Sequence, residues 1–311
     1  MAQTADPFSS ITVTPMAVHI GAEIGGVDLT RPLPSEQVAD IRAALLRWKV
    51  IFFRDQMLDH DQHVAFARQF GDPTPAHVVY GGQDQQPEIY SIAKFRKANS
   101  NRGQGAMRPW SGWHTDITAA INPPAASILR GVTVPPYGGD TQFTNLAVAY
   151  NTLSPTLRGL LDHLRAVHRF AVSQGATAVN DHDKAVQQHT LVSEHPMVTV
   201  HPETGERVLY ANPAFVEGIC GMEADEGRWL MELLWEHIIR PDFTVRFRWQ
   251  PGSIAFWDNR ATAHLAPRDI FDTDFERQFY RVTLNGEVPV GIDGRPSTAI
   301  EGRPIEPVAR P

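Results

Sequence analysis

Trp113-His114-Thr115-Asp116-Ile117 holds the residue types best suited to chemistry in this chain of 311 residues. In an extended segment side chains alternate between faces, so His114 and Asp116 point one way and Thr115 the other. An imidazole and a carboxylate on one face supply two of the three protein ligands of the 2-His-1-carboxylate triad that holds non-haem Fe(II). The third would be a distant histidine, and Asp258-Asn259-Arg260-Ala261-Thr262-Ala263-His264 offers His264. Alone, the pair equally fits a surface histidine beside a turn aspartate.

The elements that must position these residues alternate between short strands and a few helices. Ile11–Ile20 reads as a strand, and Pro34-Ser35 opens a helix on which Val38, Ile41, Leu45 and Trp48 recur at helical spacing. Val50–Phe53 reads as a buried strand. Asp59 with Gln62 forms a capping box for a helix that ends before Gly71. Residues 99–112, rich in Asn, Ser, Gly and Arg, form a candidate lid leading into the His114 segment. Strands follow at Ser127–Arg130 and Gln142–Thr144, then a helix begun by Ser154-Pro155. The polar stretch 172–195 reads as a second excursion over the site.

Strands resume at Met197–His201 and Val208–Tyr210. Glu223–Arg240 is an amphipathic helix with Trp229, Leu230, Leu233, Leu234 and Ile238 on its apolar side. Phe243, Val245, Phe247 and Trp249 alternate with Thr244, Arg246 and Arg248 as in a half-buried strand. Ile254–Trp257 and Phe279–Leu284 complete the set. The pattern predicts a mainly β domain with flanking helices, a double-stranded β-helix (jelly roll) that closes its edges around a small pocket. It is one domain over 1–311, with peripheral tails at 1–10 and 291–311.

Composition narrows the function. Hydrophobic residues make up 42% and aromatics 9%, enough for a substantial core. A formal charge of −7 without a basic stripe argues against nucleic-acid binding. The single cysteine, Cys220, excludes an intrachain disulfide and a thiolate zinc cluster, and a reducing, cytoplasmic setting is expected. A polar start without a signal-peptide core, and the lack of an apolar run of spanning length, argue against export and membrane insertion.

Four signals occur in order: Trp113-His114-Thr115-Asp116, Gly138-Gly139-Asp140-Thr141, Trp257-Asp258-Asn259-Arg260 running to His264, and Arg277-Gln278-Phe279-Tyr280-Arg281-Val282-Thr283. Together, over about residues 11–290, they resemble the Fe(II)/2-oxoglutarate dioxygenases of the taurine dioxygenase (TauD/TfdA) family. The end of the chain, with Gly286-Glu287-Val288-Pro289-Val290, is similar to the alkylsulfatase-type members.

The resemblance implies Fe(II) on His114, Asp116 and His264, with 2-oxoglutarate and O2 as cosubstrates. The far carboxylate of 2-oxoglutarate would meet Arg277, whose planar fork pairs with carboxylates, and the Thr141 hydroxyl. Arg281, with His77 and Tyr80, would receive a substrate sulfonate or sulfate. Phe170 and Tyr210 would line its organic part, and Trp110, where taurine dioxygenase has a polar asparagine, favours an apolar body. The implied reaction hydroxylates the carbon bearing sulfate ester or sulfonate, releasing aldehyde plus sulfate or sulfite, with succinate and CO2. The expected partner is therefore a small anionic substrate, and a homo-oligomer, dimer or tetramer, is a family-level expectation.

Competing readings are a hydroxylase of a carboxylate such as an aryloxyalkanoate, a non-catalytic metal- or anion-binding jelly roll, and a metal isomerase that would not need Arg277. Of the remaining histidines, His195 and His201 read as structural, and His60, His63, His182 and His189 as solvent-facing.

Overall fold

The computed structural model describes residues 8–76, 86–94, 108–170, 189–271 and 273–309. Its strands are β1 (Thr12–Pro15), β2 (Ala22–Gly25), β3 (Val50–Phe53), β4 (Tyr90–Lys94), β5 (Ala126–Thr133), β6 (Thr141–Asn145), β7 (Arg165–Phe170) and β8 (Leu191–Pro196), then β9 (Val198–Val200), β10 (Arg207–Leu209), β11 (Val216–Ile219), β12 (Thr244–Phe247), β13 (Ile254–Asp258), β14 (Thr262–Leu265), β15 (Arg277–Leu284) and β16 (Thr298–Glu301). The α-helices are α1 (Ser35–Trp48), α2 (His60–Arg68), α3 (Leu146–Asn151), α4 (Pro155–Leu161) and α5 (Ala224–Ile238).

A seven-stranded sheet runs β1-β2-β3-β13-β5-β15-β4, and smaller sheets run β12-β6-β14 and β11-β7-β8-β16. The alternation along the central strands explains how the large sheet serves two cores. Ile51, Phe53, Ile254 and Phe256 pack against α1 and α2, whereas Val50, Phe52, Ala255 and Trp257 pack towards β12-β6-β14. Burial on both faces is why these strands are continuously apolar rather than alternating. Between the sheets, Phe52 stacks on Phe247 with ring centroids 3.9 Å apart, and Phe143 meets Trp257 at 5.5 Å. This is the expected double-stranded β-helix. It leaves the inward face of β15, with Arg277, Phe279 and Arg281, looking into the space between sheets.

The helices follow their caps. Gln62 N–H donates to Asp59 Oδ1 at 2.8 Å, while Asp59 N–H donates to Gln62 Oε1 at 2.9 Å, closing the capping box. Ser154 Oγ accepts from Leu157 N–H at 3.2 Å with Pro155 in the first turn.

The structure corrects several expectations. The strand at 11–20 is shorter, because the chain turns back after Pro15 to pair β1 with β2. Residues 189–195 do not form an excursion: β8 is held between β7 and β16, which buries Ser193 and His195 despite their polarity. Only the part 172–188 lies outside the described residues, as do 99–107 of the candidate lid. On α5 the buried stripe is Gly227, Met231, Leu234 and Ile238, so Trp229 and Leu233 face solvent. His63 is fully buried and donates from Nε2 to Ile128 O at 3.1 Å, since it shares the inner face of α2 with Phe66 and Ala67. The end of the chain adds β16 as an edge strand, and Ile305 is buried, its N–H on Asn122 Oδ1 at 2.8 Å.

Candidate metal centre and adjoining pocket

His264 lies on β14, and its backbone faces that of His114 across an isolated antiparallel bridge. The ligand segment is therefore a single bridged residue running into a turn rather than the expected strand. Thr115 still points away, its hydroxyl donating to Thr262 O at 2.7 Å. Asp116 opens the turn, and Ile117 follows with φ 45°, a left-handed conformation that costs a β-branched residue on the order of 1–3 kcal/mol. The sharp reversal it makes brings the Asp116 carboxylate back beside the two imidazoles.

Ligating atoms of His114, Asp116 and His264 all lie within 4.8 Å of one another. The described residues contain no second group of three such side chains. His114 Nδ1–H donates to Gly112 O at 2.9 Å, which leaves Nε2 with its lone pair for a metal. Burial, then the neighbouring His114, pushes the His264 imidazole well below its ordinary pKa, so it is neutral and free to ligate. Burial opposes ionisation of Asp116, but Arg281 leads the groups that outweigh it, and the Ser127 hydroxyl adds to them. The carboxyl is held well below the usual range. Two imidazoles and one carboxylate fit the donor set of non-haem Fe(II).

Beside the triad is a cavity of about 330 Å³. Arg277 and Arg281 enter it from one face of β15, and Thr141 enters from β6. Gly138 and Gly139, at φ 73° and 65°, form the turn that delivers Thr141, whose hydroxyl accepts from Trp249 Nε1 at 2.9 Å. Burial pushes the Arg277 guanidinium down to about 10, opposed by Asp269. No ion pair to Arg277 occurs among the described residues; its guanidinium rests on the Phe279 ring at 3.7 Å. Arg281 donates to Asp116 Oδ1 at 2.5 Å, and its buried Nε has no partner among the described residues.

Apolar side chains complete the walls: Ile92, Ile117, Leu129, Phe170 and Phe215. Phe170 was expected there. Phe215 was not, although a phenylalanine in the Asn212-Pro213-Ala214-Phe215 turn is the kind of exposed-loop aromatic that signals binding. Trp110 does not line this cavity. Turn hydrogen bonds at Ser111 and Trp113 fold its segment so that the indole packs 6.1 Å from Trp235 on α5. Tyr210 lies elsewhere too, 5.5 Å from both His168 and His195, on the wall of a separate cavity of about 420 Å³. His77 and Tyr80 lie outside the described residues. His201 is structural, its Nε2 donating to buried Asp258 at 2.9 Å.

Residues 12–283 match the family described as taurine catabolism dioxygenase TauD, TfdA family. An alpha-ketoglutarate-dependent sulfate ester dioxygenase of Pseudomonas putida is 40% identical, over 94% of this chain and 95% of that protein. An alkylsulfatase of Acinetobacter baylyi is 34% identical, over 93% of this chain and 89% of its own. A taurine dioxygenase structure from Burkholderia xenovorans superposes with a TM-score of 0.84 at 60% identity, covering 95% of this chain and 96% of the other. No helix among the described residues is long and apolar enough to cross a membrane. The chain belongs to the TauD/TfdA family and is an alpha-ketoglutarate-dependent dioxygenase.

Proposed function

We propose that this enzyme hydroxylates the carbon bearing the sulfate group of a small alkyl sulfate, releasing aldehyde and sulfate while 2-oxoglutarate becomes succinate and CO2. The observation that carries it is a cavity lined by the metal triad, by two guanidiniums of which Arg281 is paired with Asp116, and by apolar side chains. Iron held by His114, Asp116 and His264 supplies, with 2-oxoglutarate and O2, the oxidation of a C–H bond.

The chain's own residues select and orient the reactants. Arg277, with the Thr141 hydroxyl, receives the far carboxylate of 2-oxoglutarate, and Arg281 receives the substrate anion. Charge supports this division. A divalent metal, two guanidiniums and one carboxylate leave a buried positive surplus, which a dianionic 2-oxo diacid and a monoanionic sulfate ester cancel. Phe170, Phe215, Leu129 and Ile117 hold the alkyl part, fixing which carbon faces the metal and excluding water. Asp116, present as a carboxylate, fills the place that a halide would need.

A sulfonate substrate is the second reading, favoured by the same Arg281. Asp116 is the sole carboxylate among the described lining residues. An amine such as taurine's therefore has no partner there, which favours an uncharged alkyl body. Succinate formation screened over alkyl sulfates, alkanesulfonates, taurine and aryloxy acids tests the assignment. Alkyl sulfates should give the highest kcat/KM, and preference for an aryloxy acid would overturn it.

A further inference from the structure

Ser127 is the second residue of β5, opposite Trp257 on β13 and Thr283 on β15, a fully buried hydroxyl in an apolar strand. Three hydrogen bonds connect this region to the metal triad. Trp257 Nε1 donates to Asn259 Oδ1 at 2.8 Å, Asn259 Nδ2 to Ser127 Oγ at 2.9 Å, and Ser127 Oγ to Asp116 Oδ2 at 2.7 Å. Trp257 and Asn259 are each 1% exposed.

The direction of this relay is fixed from its far end. An indole N–H only donates, so it selects the carbonyl oxygen of Asn259 and leaves the amide N–H₂ to donate onward. Ser127 Oγ receives that proton donor, and its own hydroxyl proton is directed to Asp116. We infer that Trp257, Asn259 and Ser127 are positioning residues that divide the two oxygens of Asp116. Oδ2 is tied by the Ser127 hydroxyl, and Oδ1, which accepts from Arg281 at 2.5 Å, keeps its second lone pair for the metal. A carboxylate free to use both oxygens would occupy a coordination position that the bidentate 2-oxo acid or O2 requires. The relay acts through Asp116 and touches neither substrate nor cosubstrate. The inference rests on the reading of His114, Asp116 and His264 as metal ligands.

The test is Mn(II) titration of the metal-free enzyme, followed by loss of the free-ion EPR signal, with thermal unfolding in parallel. Ser127→Ala should weaken Mn(II) binding about tenfold or more, the usual scale for removing an outer hydrogen bond to a metal ligand, while secondary structure is retained. Asn259→Leu, which removes the middle link, should shift affinity in the same direction. Ser127→Thr, which keeps the hydroxyl, should stay nearer the parent than Ser127→Ala. Should Ser127→Ala not fold, the comparison of Asn259→Leu with Ser127→Thr decides. Parent-like Mn(II) affinity in both Ser127→Ala and Asn259→Leu, with affinity lost in His264→Ala, would overturn the relay alone. Parent-like affinity in His264→Ala would overturn the metal assignment beneath it.

Discussion

His114 and His264 exchange both backbone hydrogen bonds, the N–H of each on the carbonyl of the other at 2.9 and 2.7 Å, and their rings lie 4.2 Å apart. One bridged pair thus fixes two proposed metal ligands from distant parts of the chain, using main-chain hydrogen bonds that an alanine substitution leaves in place. His264→Ala should therefore keep the fold and lose the metal. Its Mn(II) affinity should fall at least about a hundredfold, the top of the range for outer-sphere losses, with an unchanged circular dichroism spectrum. Retained affinity would refute the ligand role.

Arg277 is a buried cation without a carboxylate partner among the described residues, which makes its proposed anion the cosubstrate. Arg277→Ala should raise the KM for 2-oxoglutarate about 10–100-fold, as expected for losing a charge-assisted hydrogen bond of about 1.5–3 kcal/mol. Arg277→Lys should recover only part, because an ammonium cannot offer the paired donors of a guanidinium. An unchanged KM would reassign the residue.

The apolar walls predict a chain-length series. Each added methylene buried in the cavity is worth about 0.8 kcal/mol, or roughly a fourfold fall in KM, until the space is filled. Phe215→Ala should flatten that series while leaving the KM for 2-oxoglutarate unchanged. A series equally steep in both enzymes would place the alkyl part elsewhere.

Stability should fall with pH over the range where buried histidines would charge. Burial is the leading cause that lowers His63 to about 3, His195 to about 4, and His168 well below its ordinary value. In the unfolded chain these groups titrate near 6.5. Below about pH 6.5 the unfolded state thus binds more protons than the native state, and stability is lost as pH falls towards the native values. Each contributes a slope of about 1.4 kcal/mol per pH unit. Urea midpoints between pH 7.5 and 5 should decline, and less steeply in His63→Gln, whose amide can still donate to Ile128 O. Identical slopes would contradict the neutral buried state of His63.

That His114, Asp116 and His264 would come together was legible from the ordered set of four motifs, since the His-x-Asp pair alone fits a surface turn equally well. The two arginines were legible because a strand places every second residue on one face. The relay was not, since Ser127 is one serine in an apolar run, and its meeting with Asp116 depends on β5 lying between β13 and β15. His63 was misread from polar neighbours, although its helical spacing to Phe66 and Ala67 was the available signal. Trp110 turned towards α5 because backbone bonds within a turn, invisible in composition, set its direction. The burial of β8 likewise came from partners on both sides, β7 and β16, rather than from its own mixed sequence.

Sulfate release from a medium-chain alkyl sulfate, followed together with succinate, tests the proposed chemistry most directly. One succinate should appear for each sulfate, and both should vanish when Fe(II), 2-oxoglutarate or O2 is withheld. Sulfate released at the same rate without O2 or 2-oxoglutarate would mean simple hydrolysis, and would contradict an oxidative role for His114, Asp116 and His264.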